Sequence, residues 1–301
     1  MDFRMGMNAV HSAPPNTAVA NIVFVHGLFG GPWKTWAAKA KRKRGGLSNR
    51  EDAVSGTTHV FWPETLLPSA IDNVNIYSFG YDADVERFMS SAGLNTVHQH
   101  GRNLFNELYA LRNSQIPTII IAHSLGGLVA KEALNQSAHS AHEDERDVVL
   151  STRGIIFLGT PHRGSNAASY GRVAYLLTRF LAFQSANTKL LSALEKNSET
   201  LDRISTDFFQ TLESYKNLRI ASFSEEKEVR FGVLGMQIVR ADSAKIGHAR
   251  EVWGSFSEDH RNMAKFSTAQ DEGFVKVVRK IKEWAGDQSQ MSSVELKTYE
   301  G

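Results

Sequence analysis

The sequence contains no cysteine. Disulfides, thiolate nucleophiles and cysteine-ligated zinc are therefore excluded, while the compartment stays open. An excess of one charge is also missing: 34 Lys and Arg stand against 32 Asp and Glu, a formal charge of +2. That balance is too even for a basic nucleic-acid surface, so no nucleic acid partner is expected. No apolar run approaches the roughly 18 residues of a membrane span, and no transmembrane segment is expected. The first 20 residues, MDFRMGMNAVHSAPPNTAVA, lack the apolar core of a secretory signal and are too poor in arginine for a transit peptide. A cytoplasmic protein is the default expectation, with organelle targeting left open. There is no internal repeat and no shift in composition, so 301 residues point to one domain around a large core.

What is present alternates. NIVFVHG (21–27), VNIYSFGYDAD (74–84, with its turn), TIIIA (118–122), GIIFLGTPHRG (154–164, with a Gly/Pro loop), LRIASFSEE (218–226) and GMQIVRADS (235–243) are short apolar runs that read as strands. Residues 92–113, 124–135, most of 165–215 and 261–284 carry helical spacing. The two prolines of FWPETLLP (61–68) argue against regular structure there. Buried strands alternating with helices predict an α/β fold with a mostly parallel sheet covered on both faces. The basic cluster Lys39-Ala-Lys-Arg-Lys-Arg44 reads as a solvated loop, with a nuclear-import signal or peripheral contact with lipid headgroups as alternatives.

Ser124 stands where an apolar strand meets a helix, in AHSLGG. A nucleophile elbow forces its serine into a strained turn and demands small residues two before and two after it. Ala122 and Gly126 meet that demand, Ala122 departing from the usual glycine by one methyl. A serine that merely capped the helix would need neither, nor the following Gly127. His123 is a sequence neighbour of Ser124 and points to the other side of the turn, so the base must come from further along the chain. HGLFGG (26–31) ends the first strand where a backbone N–H could meet an oxyanion; Leu28 and Leu125 are the expected donors. The same run lacks the Lys-Ser/Thr ending of a phosphate-binding P-loop.

Together HGLFGG, AHSLGGLVAKEAL, GIIFLGTPHRGS and DHRNMAKF resemble the α/β-hydrolase proteins related to the serine-active-site-containing protein and, more distantly, GPI inositol-deacylase. The resemblance covers roughly residues 20–285, with four motifs in the same order. It implies an α/β-hydrolase fold with a serine esterase or lipase-like activity, and a triad in the chain order serine, acid, histidine. Residues 1–20 are then an N-terminal tail, 21–285 the hydrolase domain with a helical cap insertion at 165–215, and 286–301 a C-terminal tail. His260 matches the Asp-His motif and is the expected base; His248, in KIGHARE, is expected on the surface, and His162 beside the site. Glu225, at the end of a strand, matches the acidic position. Asp242 is its rival, Glu226 falls one residue into a loop, and Asp259 adjoins the base.

The cap segment YGRVAYLLTRFLAF offers Tyr175, Phe180 and Phe183 for an acyl chain or apolar ring, joined by Phe29 from the first loop. The expected activity is hydrolysis of a carboxylic ester (an apolar ester, lipid or lactone) with no cofactor and no metal. An acyltransferase on the same residues, or a binding protein that kept the fold, are the alternatives.

Overall fold

The computed structural model describes residues 3–28, 30–40, 59–83, 93–113, 115–162, 188–231, 234–239 and 241–286. The chain opens with β1 (Gly6–His11) and β2 (Ala20–Val25), followed by a short antiparallel pair, β3 (Ala37–Lys39) with β4 (His59–Phe61). Two single-turn helices, α1 (Trp62–Thr65) and α2 (Leu67–Ala70), lead into β5 (Val74–Gly80). Then come α3 (Gly93–Leu111), β6 (Thr118–His123), α4 (Gly126–Ala138), α5 (Glu143–Ser151) and β7 (Thr152–Leu158). The last part holds α6 (Thr188–Ser214), β8 (Arg219–Glu225), the hairpin β9 (Val229–Phe231) and β10 (Leu234–Met236), β11 (Glu251–Phe256) and α7 (Glu272–Ala285).

Seven strands form one sheet in the order β1-β5-β2-β6-β7-β8-β11. β1 is antiparallel to β5, and every other neighbouring pair is parallel. Helices cover both faces, and this arrangement is the α/β-hydrolase fold. The sequence explains the burial. In β6, Ile120 and Ala122 face one core with Leu104, Leu108, Val129 and Ala133 of α3 and α4. Ile119 and Ile121 face the other, with Trp36, Trp62, Phe274 and Ile281. Alternate residues of a strand point to opposite faces, so a strand covered on both sides must be apolar throughout. Burying each such isoleucine is worth about 1.5–3 kcal/mol.

Four local expectations change. Gly6–His11, expected in a tail, forms the antiparallel edge strand, where only Val10 is buried and no apolar pattern signals it. The prolines of 61–68 do not prevent helix, because Pro63 and Pro68 each sit in the first turn, where a missing N–H costs nothing. The segment 235–243 adds no strand to the main sheet; its place is taken by β11, which is partly exposed along its open edge. The expected cap divides: residues 163–187 lie outside the described residues, while α6 buries Leu201, Ile204, Phe208 and Leu212 in the main core. From residue 201 this helix is a layer of the domain rather than a cover for a site. No helix among the described residues is long and apolar enough to cross a membrane.

Candidate active site

Parallel register brings the strand ends level. Val25 lies beside Phe79 and Ala122, Ala122 beside Phe157, and Leu158 beside Phe223. The loops that follow β2, β6, β7 and β8 therefore meet beyond the carboxyl edge of the sheet, where open α/β sheets place ligands.

Ser124 occupies the left-handed region, with φ 55. The other non-glycine residues there among those described are Asn16 and Asn73, a type that tolerates it. A serine held this way costs of order 1–3 kcal/mol and persists only where the surroundings dictate it. Here they do: the Ser124 N–H donates to the Leu158 carbonyl at 2.9 Å, extending the ladder one residue past β6. A Cβ on Gly126 would stand 2.3 Å from the His26 carbonyl oxygen, and one on Gly127 would overlap Thr160. The small residues are thus required by close approach of the neighbouring loops.

His260 Nε2 lies 3.0 Å from Ser124 Oγ, and its Nδ1 lies 2.8 Å from Glu225 Oε2. The remaining carboxylate oxygen of Glu225 accepts the Val239 N–H at 2.8 Å. All three side chains are buried: Ser124 is 2% exposed, Glu225 2% and His260 1%. An ionised carboxylate accepts only, so His260 carries its proton on Nδ1 and presents the Nε2 lone pair to the serine hydroxyl. Room for the ring comes from Gly159, whose φ is +57 and whose missing Cβ would sit 2.9 Å from Nδ1. Gly159 and Val239 were not among the expected site residues; the glycine in GTPHRG was a signal for the first, while a backbone N–H leaves none in a sequence.

His123 does turn away from the serine. Its Nε2 is 2.8 Å from the His260 carbonyl oxygen, to which it donates. Burial, and then the neighbouring His260, push its pKa down to about 3, so the ring is neutral near pH 7. On the opposite side, a Cβ on Gly27 would be 2.8 Å from Ser124 Cβ, so the 26–28 loop presses against the elbow. Leu125, with φ −59 and ψ −28, immediately precedes α4, so its N–H belongs to the amino end of that helix, where backbone donors favour negative charge. Leu28 is partly buried at the same edge.

The other candidates separate. Asp242 is exposed, and Glu226 accepts from Ser255 and Ser257 at the surface. Asp259 accepts the Arg261 and Asn262 N–H groups, shaping the turn that holds His260. His248 is buried rather than on the surface, with Nε2 2.7 Å from Glu213 Oε1 and its ring against Phe209. His162 is buried behind the site, its ring edge-on to Phe157 and near Ser222. Phe29, Tyr175, Phe180 and Phe183 lie outside the described residues. No group of three or more His, Asp or Glu among the described residues is placed to hold a metal ion.

No family model matches the chain. Protein SERAC1 of Homo sapiens is 29% identical over 231 residues, covering 76% of this chain and 34% of that protein. Protein SERAC1 of Danio rerio is 26% identical over 254 residues, covering 82% of this chain and 36% of that protein. The chain spans about a third of the length of these relatives. Among solved structures, the carboxylesterase CesB of Bacillus subtilis is similar over 94% of this chain and 89% of its own, at 11% identity and a TM-score of 0.45.

Proposed function

We propose that this chain is a serine hydrolase that cleaves carboxylic esters through Ser124, His260 and Glu225. The observation that carries the reading is the buried relay from Ser124 Oγ through His260 to Glu225, with hydrogen bonds of 3.0 and 2.8 Å, starting from a serine at φ 55. A serine hydroxyl is a weak nucleophile at neutral pH, and a base hydrogen-bonded to it removes the proton as attack proceeds.

In the reaction, Ser124 Oγ adds to the ester carbonyl while its proton passes to His260 Nε2. Glu225 stabilises the imidazolium and keeps the ring in the correct tautomer. The carbonyl oxygen becomes an oxyanion, met by the N–H groups of Leu28 and Leu125, each worth about 3 kcal/mol in such a role. His260 then returns the proton to the leaving alcohol, giving an acyl-enzyme. Water, activated by His260 in turn, releases the acid. The substrate class that goes with this reading is an apolar ester, lipid or lactone.

A fluorophosphonate probe and a short p-nitrophenyl ester test this. Labelling is expected at Ser124, and Ser124→Ala should lose labelling together with about 10⁶ of kcat. Labelling of a different serine, with Ser124→Ala fully active, overturns the reading.

A further inference from the structure

His26, at the end of β2, is engaged on every side. Its Nδ1 lies 3.0 Å from the Gly27 carbonyl oxygen, and its Nε2 lies 3.4 Å from the Tyr81 backbone nitrogen. A carbonyl oxygen accepts and a backbone N–H donates, so the ring is the neutral tautomer with its proton on Nδ1. Burial acts in the same direction, lowering its pKa to about 4. The ring lies flat on Tyr81, with centroids 4.3 Å apart and planes 8° apart. The Tyr81 hydroxyl then donates back to the His26 carbonyl oxygen at 2.6 Å.

Between them the pair holds two consecutive peptide planes: Tyr81 fixes the His26–Gly27 plane and seats the His26 ring, which fixes the Gly27–Leu28 plane. The Gly27 carbonyl oxygen accepts from His26 Nδ1–H and from the Gly30 N–H, the latter at 3.1 Å. The Gly27–Leu28 bond is trans. In a planar trans peptide the carbonyl and the following N–H point in opposite directions. Fixing the Gly27 carbonyl therefore fixes the Leu28 N–H. The plane also lies against the elbow, since Gly27 leaves no room for a Cβ beside Ser124.

We propose that His26 and Tyr81 are positioning residues that aim the Leu28 N–H at the oxyanion, an inference that rests on the ester-hydrolase reading above. Neither side chain touches the substrate; both act through the backbone of the 26–28 loop. Donors aimed at the oxyanion act chiefly in the transition state, so loss of aim lowers kcat and leaves KM nearly unchanged.

Two substitutions at one position separate aim from packing. His26→Phe keeps a flat ring on Tyr81 and removes the Nδ1–H, whereas His26→Asn keeps a donor in the place of Nδ1. His26→Phe is expected to lose about 10²-fold in kcat with KM within about twofold, and to slow fluorophosphonate labelling of Ser124 by a similar factor. His26→Asn should recover most of that loss. Equal losses in both variants, or wild-type kcat in His26→Phe, overturn the inference. If His26→Phe does not fold, Tyr81→Phe removes a single oxygen and should still lower kcat several-fold at constant KM; no change in kcat overturns the inference. Labelling at Ser124 with His26→Phe fully active sinks only the positioning role, while an active Ser124→Ala sinks the hydrolase reading itself.

Discussion

The end of β6 and the loop after β11 each place a buried histidine beside Ser124, their ring centroids 5.0 Å apart. His123 is covalently next to the serine, yet its Nε2 donates to a backbone carbonyl and its pKa is pushed down to about 3. His260 comes from far along the chain, and its Nδ1 meets the carboxylate of Glu225. A neutral carbonyl offers little to an imidazolium, whereas a buried carboxylate offers a full opposite charge. What makes one imidazole a candidate base and its neighbour a strut is therefore what each of its ring nitrogens meets, Ser124 Oγ and Glu225 for His260 and a backbone carbonyl for His123, and nearness to the serine along the chain decides nothing.

The comparison breaks most sharply at His260 itself. His260→Ala should cost about 10⁶ in kcat on a p-nitrophenyl ester, as loss of the base in such a relay does; near-normal turnover would transfer the role elsewhere. Next comes the carboxylate. Glu225→Gln is expected to lose about 10⁴ in kcat through loss of the tautomer and of charge, while Asp242→Asn, at an exposed position, should lose little. Steady-state kinetics on the two variants decide between them, and the reverse ranking would move the acid to Asp242.

The smallest effect belongs to the strut. His123→Phe should lose only about tenfold in kcat, with about 1–3 kcal/mol of stability from the carbonyl left without its donor. The pH dependence has a definite sign. Unfolded, His123 titrates near 6.5; folded, near 3. Between those values the unfolded chain binds more protons, so this contribution to stability is present above pH 6.5 and is lost as pH falls towards 3. Denaturant unfolding across that range should show a shallower acid slope in His123→Phe than in the native protein. The slope should not vanish, because His26 is held down to about 4 and acts in the same window. An unchanged slope would mean that His123 is charged or solvated in the folded state.

How much of this was legible in the sequence follows from how local each constraint is. The elbow is a matter of six consecutive residues, and its strand, turn and helix each leave a mark: β-branched residues before, small residues around, glycine after. The two edge strands left almost none. β1 buries only Val10, and β11 carries the exposed Trp253 and a polar half, so neither shows the apolar run of a covered strand. Helical spacing in 188–214 was readable, but which surface the helix covers depends on α4 and the sheet beneath it, which are distant in sequence. His248, which has no Asp-His match, was expected on a surface segment, and it is buried against Phe209 of α6 with its Nε2 bonded to Glu213 of the same helix. The acid was the hardest choice for the same reason. Four carboxylates lie between residues 225 and 242, and what separates Glu225 is the direction the sheet gives it and the Val239 N–H that seats it.

The bond between Ser124 and His260 spans 136 residues of chain, and that length has a meaning during synthesis. Parallel strands pair only after long loops have closed, so a site hung on their ends is acquired late in folding. A ribosome-bound chain that has exposed its serine and the helix behind it still lacks the acid and the base. On the hydrolase reading proposed above, the growing polypeptide therefore carries an unarmed nucleophile, and the hydrogen bonds from Ser124 through His260 to Glu225 close only after the strand and turn that deliver His260 have emerged and docked at the edge of the sheet.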